Sequence, residues 1–218
     1  MGYSKITWSC LNKYLRQGGL LSESELPPFG TKNIKEPYYE KEMLELGCQT
    51  IRGSLRKQIH SELFDHNSKD YFESIGIKCL SIDIKGCKKS LIVDITKPMH
   101  SYFYNKFDII TNSGTTEHIF PLNGQYLAFN NIHLCTKLNG IMIHFVPVHG
   151  VERKPHGYFN YDENFFETLA ELNNYRIIKI EKYDRKQGDI YWGVCLRKTK
   201  NNNFTIEKEK FNKNIKKV

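Results

Sequence analysis

FDIITNSGTTEHI, residues 107–119, begins as a strand and ends as something else. Phe107, Ile109, Ile110 and Thr111 are the aromatic and β-branched types that suit a pleated, buried backbone. The run then breaks into Asn112, Ser113, Gly114, Thr115, Thr116, Glu117 and His118, more polarity than a plain connector of that length needs. It reads as a site loop. Gly114 permits an unusual backbone angle there, and Glu117 and His118 present ionisable groups at its edge.

Outward from this segment, short apolar runs alternate with longer mixed stretches from residue 41 onward. That alternation predicts a parallel sheet covered by helices. Strands are expected at 43–46, 78–83, 91–95, 107–111, 140–146, 175–183 and 189–198. Helices are expected at 68–75, 123–137 and 162–173, the last capped by Asp162 with Glu163, Phe165, Phe166, Leu169 and Leu172 on one face. About five residues around Gln187 and Gly188 separate the last two strands, which predicts an antiparallel hairpin. The expected fold class is therefore α/β, a mostly parallel sheet flanked by helices and closed by that hairpin. Ligands in such sheets bind beyond the carboxyl ends of the strands, where strand order reverses.

The length of 218 residues suits one such domain with extensions. Residues 3–17 carry apolar side chains near helical spacing, and 22–37 read as a loop. Together, 1–40 are expected to form an N-terminal helix and loop, a possible lid on the domain at 41–198. The hydrophobic fraction of 39% supports one core. No apolar run approaches the ~18–20 residues of a membrane span, and the N-terminus lacks a secretory core, so a cytoplasmic location without membrane insertion is expected. Six cysteines are scattered without a CxxC pair, which favours free, buried thiols over disulfides or zinc.

The net charge of +8 raises the question of nucleic acid, yet residues 197–218 hold eight Lys or Arg against two Glu. A basic, Asn-rich tail at 199–218, expected to be mobile, absorbs most of the excess, so nucleic acid is not the expected partner.

Three carboxylates fall in order at strand ends. Glu45, Gly47, Cys48 and Gln49 close the first strand, with Gly53 six residues after Gly47; glycine lets backbone approach a ligand closely. Asp83 ends the second strand, where a carboxylate can accept from both hydroxyls of a ribose. Asp94 ends the third, where an adenine edge can meet it. Each aspartate can instead simply cap a following turn. In sequence order at three strand ends they favour a nucleoside site. A last cluster, His144, His149, Arg153, Lys154, His156 and Tyr158, follows the fifth strand. Its charge suits an anionic or phosphorylated small molecule, with a histidine to take a proton. The spacing 144/149/156 offers neither an i,i+4 pair nor a Cys partner, so no metal is expected. His133, in a helical run, reads as structural.

From about residue 40 to 198 this order of elements resembles the class I S-adenosylmethionine-dependent methyltransferases. MLELGCQ (43–49) resembles their first motif, SIDIKG (81–86) the acidic end of their second strand, and SLIVDIT (90–96) their adenine-side segment. FDIITNSGTTEHI with LAFNNIHLCTKLNGIMIH (127–144) is similar to their fourth motif, helix and fifth strand. FDIITNSGTTEHI, the most distinctive passage, resembles a branch of bacterial methyltransferases acting in sugar and surface-polysaccharide pathways. The resemblance implies S-adenosyl-L-methionine as cofactor and O-methylation of a small polar or phosphorylated acceptor, such as a polysaccharide precursor. Glu45 and Gly47, with Cys48 and Gln49, would line the methionine and ribose side. Asp83 and Ile84 would hold the ribose, Asp94 and Ile95 flank the adenine, and Asn112, Ser113 and Gly114 face the sulfonium. The candidate bases are His118, His144 and His156; the acceptor contacts are Glu117, His149, Arg153, Lys154 and Tyr158. The first motif departs from the family pattern, reading Gly47-Cys48-Gln49-Thr50-Ile51-Arg52-Gly53 where two or three closely spaced glycines are usual.

Three other classes compete. A nicotinamide-dependent oxidoreductase should show G-x-G-x-x-G after the first strand, and this chain does not. A nucleic-acid methyltransferase or RNA-binding protein would use the basic tail, and a catalytically degenerate cofactor-binding domain is compatible with the first motif.

Overall fold

The computed structural model describes residues 2–20, 41–51, 67–87, 89–151, 156–162, 164–184 and 188–218. Its centre is a seven-stranded sheet: β2 (Glu42–Leu46), β4 (Lys78–Asp83), β5 (Ser90–Ile92), β6 (Phe107–Ser113), β7 (Thr136–Pro147), β9 (Tyr175–Asp184) and β10 (Ile190–Lys198). The order across the sheet is β5-β4-β2-β6-β7-β10-β9. The first five run parallel, and β10 is antiparallel to both β7 and β9, the hairpin expected from the sequence. The chain winds outward from β2 to β5, then crosses back to β6, so strand order reverses between β2 and β6. The fold is thus the mixed α/β, mostly parallel sheet that the alternation predicted, with the Rossmann-like architecture that the resemblance implied.

Side chains alternate between two cores, as the period of two requires. Leu44, Leu46, Ile110, Met142 and Val146 join one cluster, with helices α3 (Leu122–Cys135) and α4 (Phe165–Asn173). Met43, Ile109, Ile141, Ile143 and Phe145 join the other, with α1 (Lys5–Gln17) and α2 (Ser68–Ser74). In α1 the Ser4 hydroxyl accepts from the Thr7 N–H, and Trp8, Leu11, Tyr14 and Leu15 form the buried stripe. Tyr14 stacks on Phe145 at 5.8 Å. Preceding α1, β1 (Gly2–Tyr3) pairs in parallel with β3 (Thr50–Ile51). Residues 2–20 therefore cover a face of the sheet. The loop expected at 22–37, and with it the rest of the possible lid, lies outside the described residues, as does Gly53.

Four expectations need correction. The tail is folded: α5 (Lys208–Lys213) leads into β11 (Ile215–Lys217), which pairs antiparallel with β8 (Phe159–Tyr161). Ile206, Phe211 and Ile215 are buried, and the Phe211 ring lies 5.4 Å from Phe129 and 5.2 Å from Phe165. The basic side chains of α5 stay exposed while its one large apolar residue anchors it. Second, Asp162 does not cap α4 with its side chain; its backbone carbonyl accepts from the Phe165 N–H, and Asn164 occupies the cap position. Third, the third strand is shorter than expected, ending at Ile92 before Asp94. Fourth, Cys48 and Cys87 form a disulfide with Cα atoms 6.2 Å apart, joining the loop after β2 to the loop after β4. Cys79, Cys135 and Cys195 are free and buried, as expected; Cys10 is free and half-buried.

His133 is structural: it is buried, with Nδ1 at 2.6 Å from the Tyr175 hydroxyl and Nε2 at 2.6 Å from the Asn202 carbonyl. Among the described residues no helix is long and apolar enough to cross a membrane.

Candidate active site

A cavity of about 670 Å³ opens at the carboxyl ends of the parallel strands, where strand order reverses. Each wall comes from a different strand end. Leu46 and Gly47 follow β2, residues 82–85 end and follow β4, residues 93–96 follow β5, and residues 115 and 118–120 follow β6; Tyr158 closes the far side. A volume of a few hundred Å³ matches a nucleoside-sized ligand with room for a second small molecule.

Gly47 leaves β2 with φ +76, and a Cβ there would lie 2.7 Å from Thr115 Oγ1 and 3.1 Å from Gln49 Nε2. Any side chain would be both strained and obstructed, so the turn needs glycine. Its N–H donates to the Ile82 carbonyl at 2.8 Å, which holds the β2 and β4 ends together. Asp83 sits directly opposite. Its Oδ2 accepts from the Cys48 N–H at 3.0 Å and its Oδ1 from the Lys85 N–H at 2.8 Å. Two backbone donors fix the carboxylate while leaving each oxygen a further lone pair for a ligand. Asp94 behaves alike: Oδ1 accepts from the Thr96 N–H and hydroxyl, and the hydroxyl bond holds the carboxyl below its ordinary range. Each aspartate thus caps a turn and faces the cavity at once.

Of the residues singled out from the sequence, Gly47, Asp83, Ile84, Asp94, Ile95, His118 and Tyr158 line this one cavity. The others do not. Glu45 is fully buried beneath it, accepting from Ser68 Oγ at 2.6 Å and the Tyr3 hydroxyl at 3.2 Å, and desolvation pushes its carboxyl up to about 7. On β2 it shares the face of Met43, toward the helices rather than the ligand. Cys48 is locked in the disulfide. Gln49 is buried and crosslinks two loops, donating to the Leu46 and Ser113 carbonyls at 3.2 and 2.8 Å.

Asn112 and Ser113 are also buried. The residue that reaches the cavity from their loop is Thr115, whose hydroxyl donates to the Leu46 carbonyl at 2.8 Å. Gly114 does adopt the unusual angle expected of it, φ +68. Asn112 belongs to a buried polar chain that the sequence reading missed. Its Nδ2 donates to Thr116 Oγ1 at 2.9 Å, and that hydroxyl lies 2.6 Å from the Tyr161 hydroxyl, which donates to Gln125 Oε1 at 2.8 Å. Gln125 Nε2 returns to the Thr116 carbonyl. This closed network sets the loop that carries Thr115 and His118.

His144 is a correction. It lies on the core face of β7 between Met142 and Val146, with its ring 5.4 Å from Phe129 and 5.2 Å from Phe166. Its Nδ1 is 3.2 Å from Asn112 Nδ2, and burial pushes its pKa down to about 3. It is a neutral core residue that does not touch the cavity. His149 is exposed and also outside the cavity, its N–H donating to the Tyr161 carbonyl. Arg153 and Lys154 lie outside the described residues.

His118 is the histidine that lines the cavity. Desolvation, followed by the nearby His156, lowers its pKa to about 4, so its imidazole is neutral. Its ring meets that of His156 edge-on at 4.8 Å, and His156 Nε2 lies 3.9 Å from Glu117 Oε1. Glu117 is buried beneath the two imidazoles. Phe120 and Tyr158, both exposed, face each other at 5.4 Å across the mouth.

No protein-family model matches the sequence, and no curated protein does. Solved structures do. The 1,6-didemethyltoxoflavin-N1-methyltransferase of Burkholderia thailandensis, bound to 1,6-didemethyltoxoflavin and S-adenosylhomocysteine, superposes with a TM-score of 0.54 at 13% identity, over 88% of this chain and 81% of that one. The N-methyltransferase NodS of Bradyrhizobium japonicum WM9, in complex with S-adenosylhomocysteine, gives 0.53 at 13% identity, over 90% and 89%. At such identity the likeness establishes the fold.

Proposed function

We propose that this protein is an S-adenosylmethionine-dependent methyltransferase acting on a small polar acceptor. The observation that carries the reading is the convergence of Gly47, Asp83 and Asp94 on one cavity at the switch point of a sheet shared with two such enzymes.

The residues present fit the cofactor. The side-chain-free turn at Gly47 gives the methionine arm backbone at close range, and the pre-fixed Asp83 carboxylate suits a ribose diol. Asp94 and Ile95, with Ile84 and Val93, offer a carboxylate edge and apolar walls for an adenine. When bound, the cofactor supplies an electrophilic methyl group. The chain's own task is then alignment, which can lower the barrier by several kcal/mol. Thr115 and the network beneath it fix the loop against which the acceptor would rest.

The acceptor would sit at the His118 end. There Phe120 and Tyr158 offer aromatic faces to a ring, and the neutral His118 presents a nitrogen to an acceptor's O–H or N–H. O-methylation of a sugar or polysaccharide precursor rests on the resemblance of residues 107–119 alone, and N-methylation fits the same geometry. An anionic acceptor would look to Lys85 among the lining residues.

A crystal grown with S-adenosylhomocysteine tests this. The expected density spans Gly47 to Asp94, with ribose oxygens on Asp83. Density elsewhere, or an empty cavity at saturating ligand, would refute the reading.

A further inference from the structure

In the sequence Glu117 and His118 belong to one loop and His156 to another cluster, yet the fold brings the three together. One ligand atom from each lies within 4.8 Å of the other two. The arrangement is built from two segments held rigidly against each other. Glu117 and His118 belong to a 3-10 turn at Thr116–His118, pinned from below by the Thr116–Tyr161–Gln125 network. His156 belongs to the segment entering β8. There the Tyr158 N–H donates to the Glu117 carbonyl at 2.7 Å, and a Cβ on Gly157 would lie only 2.7 Å from that same oxygen. Gly157 is what lets the two backbones touch. The residue after β11 also holds this segment, the Val218 N–H donating to the Tyr158 carbonyl at 3.0 Å.

We propose that Glu117, His118 and His156 bind a divalent transition-metal ion of the zinc class at the acceptor end of the cavity. Two imidazoles and one carboxylate are the donor set of zinc and its first-row neighbours. Magnesium and calcium prefer all-oxygen shells, and copper(I) prefers sulfur. Three protein ligands leave coordination positions open, the pattern of sites that act on a substrate. Because His118 also lines the cavity, an open position would face it. Bonds of about 2.1 Å at tetrahedral angles put ligand atoms about 3.4 Å apart. His156 Nε2 and Glu117 Oε1 stand at 3.9 Å and all three ligand atoms lie within 4.8 Å of one another, so binding would draw the side chains together, a movement open to His156, whose side chain is 44% exposed.

With His118 bound to it, the ion would take over that residue's contact with the acceptor, holding the acceptor's oxygen or nitrogen as a Lewis acid and acidifying its proton, which then leaves to water. That use deepens the methyl-transfer reading and rests on it; the existence of the site does not.

The test is titration of chelator-stripped protein with Zn2+ by calorimetry and with Co2+ by visible absorption. One equivalent should bind, and Co2+ should develop the ligand-field bands of a low-coordinate site. His156→Ala, on a partly exposed side chain, should fold normally and weaken binding by more than the roughly 10- to 100-fold that loss of a supporting contact costs. Glu117→Gln should weaken it likewise, and His149→Ala, elsewhere on the surface, should not. No saturable binding by the intact protein, or equal affinity in His156→Ala, overturns the proposal. S-adenosylhomocysteine binding, measured in parallel on the same samples, reports separately on the methyltransferase reading.

Discussion

The backbone N–H of Cys48 donates to the Asp83 carboxylate at 3.0 Å, tying the turn after the first sheet strand to the end of the second. The disulfide from Cys48 to Cys87 closes the same pair of loops a few residues further on. The cavity-facing carboxylate is therefore held from its neighbour's backbone before any ligand arrives, the preorganisation that lowers the entropic cost of binding.

Asp83→Asn keeps one acceptor oxygen for the turn but removes the charge offered to a ribose. The expected loss is about 1.5–3 kcal/mol, roughly 10- to 150-fold in Kd for S-adenosylhomocysteine, with a smaller fall in stability because one of the two backbone N–H groups then faces an amide N–H. Calorimetry and a thermal melt on the same sample separate the two effects. A large fall in melting temperature with unchanged affinity would reassign Asp83 to the turn alone.

Breaking the Cys48–Cys87 link with a dithiol reductant, or in the double variant Cys48→Ser, Cys87→Ser, should cost about 2–4 kcal/mol of stability and weaken cofactor binding. The unreduced, denatured chain should titrate four thiols and the reduced chain six. Six thiols before reduction would show that the pair is not joined.

Glu45 predicts a pH dependence. Burial raises its carboxyl to about 7 from an ordinary value of 4.5, against the lowering effect of Ser68 and Tyr3. Between those values the folded chain holds a proton that the unfolded chain releases. Stability contributed by the protonated form is therefore lost as pH rises through this window, then levels off. Glu45→Gln retains an amide for Ser68 and Tyr3 and removes the titration. Its stability relative to the native chain should rise by about 3 kcal/mol from pH 4.5 to 8 in urea unfolding. Parallel curves would mean that Glu45 ionises freely.

Phe211→Ala should destabilise the fold by about 3–5 kcal/mol, because it empties a site packed by Phe129 and Phe165. Chemical denaturation checks this. A change below 1 kcal/mol would return residues 199–218 to the mobile tail that their charge suggested.

The strands and the closing hairpin were legible because burial on both faces leaves plain apolar runs, as in GIMIHFV. Asp83 and Asp94 were legible because strand ends are where such sheets bind. The errors share one cause, namely that local pattern does not show which face or neighbour a residue meets. Glu45 and His144 lie on sheet strands, and each shares a face with buried neighbours two residues away, Met43 for the one and Met142 and Val146 for the other. Those are opposite faces of the sheet, Glu45 on the α1 and α2 side and His144 on the α3 and α4 side, and only the assembled sheet shows that each is covered. The Cys48–Cys87 pair spans 39 residues, and only the adjacency of β2 and β4 joins them. Lysines and asparagines obscured the apolar series Ile206, Phe211 and Ile215. The meeting of His156 with Glu117 depends on a loop returning over a turn, which no spacing rule encodes.

Calorimetric titration of the purified protein with S-adenosylhomocysteine, alongside Gly47→Val, is the most direct trial of an adenosyl site at the sheet's switch point. The account predicts saturable one-to-one binding that the valine abolishes, since its Cβ would collide with Thr115. No binding by the native chain, or equal affinity in the variant, would contradict it.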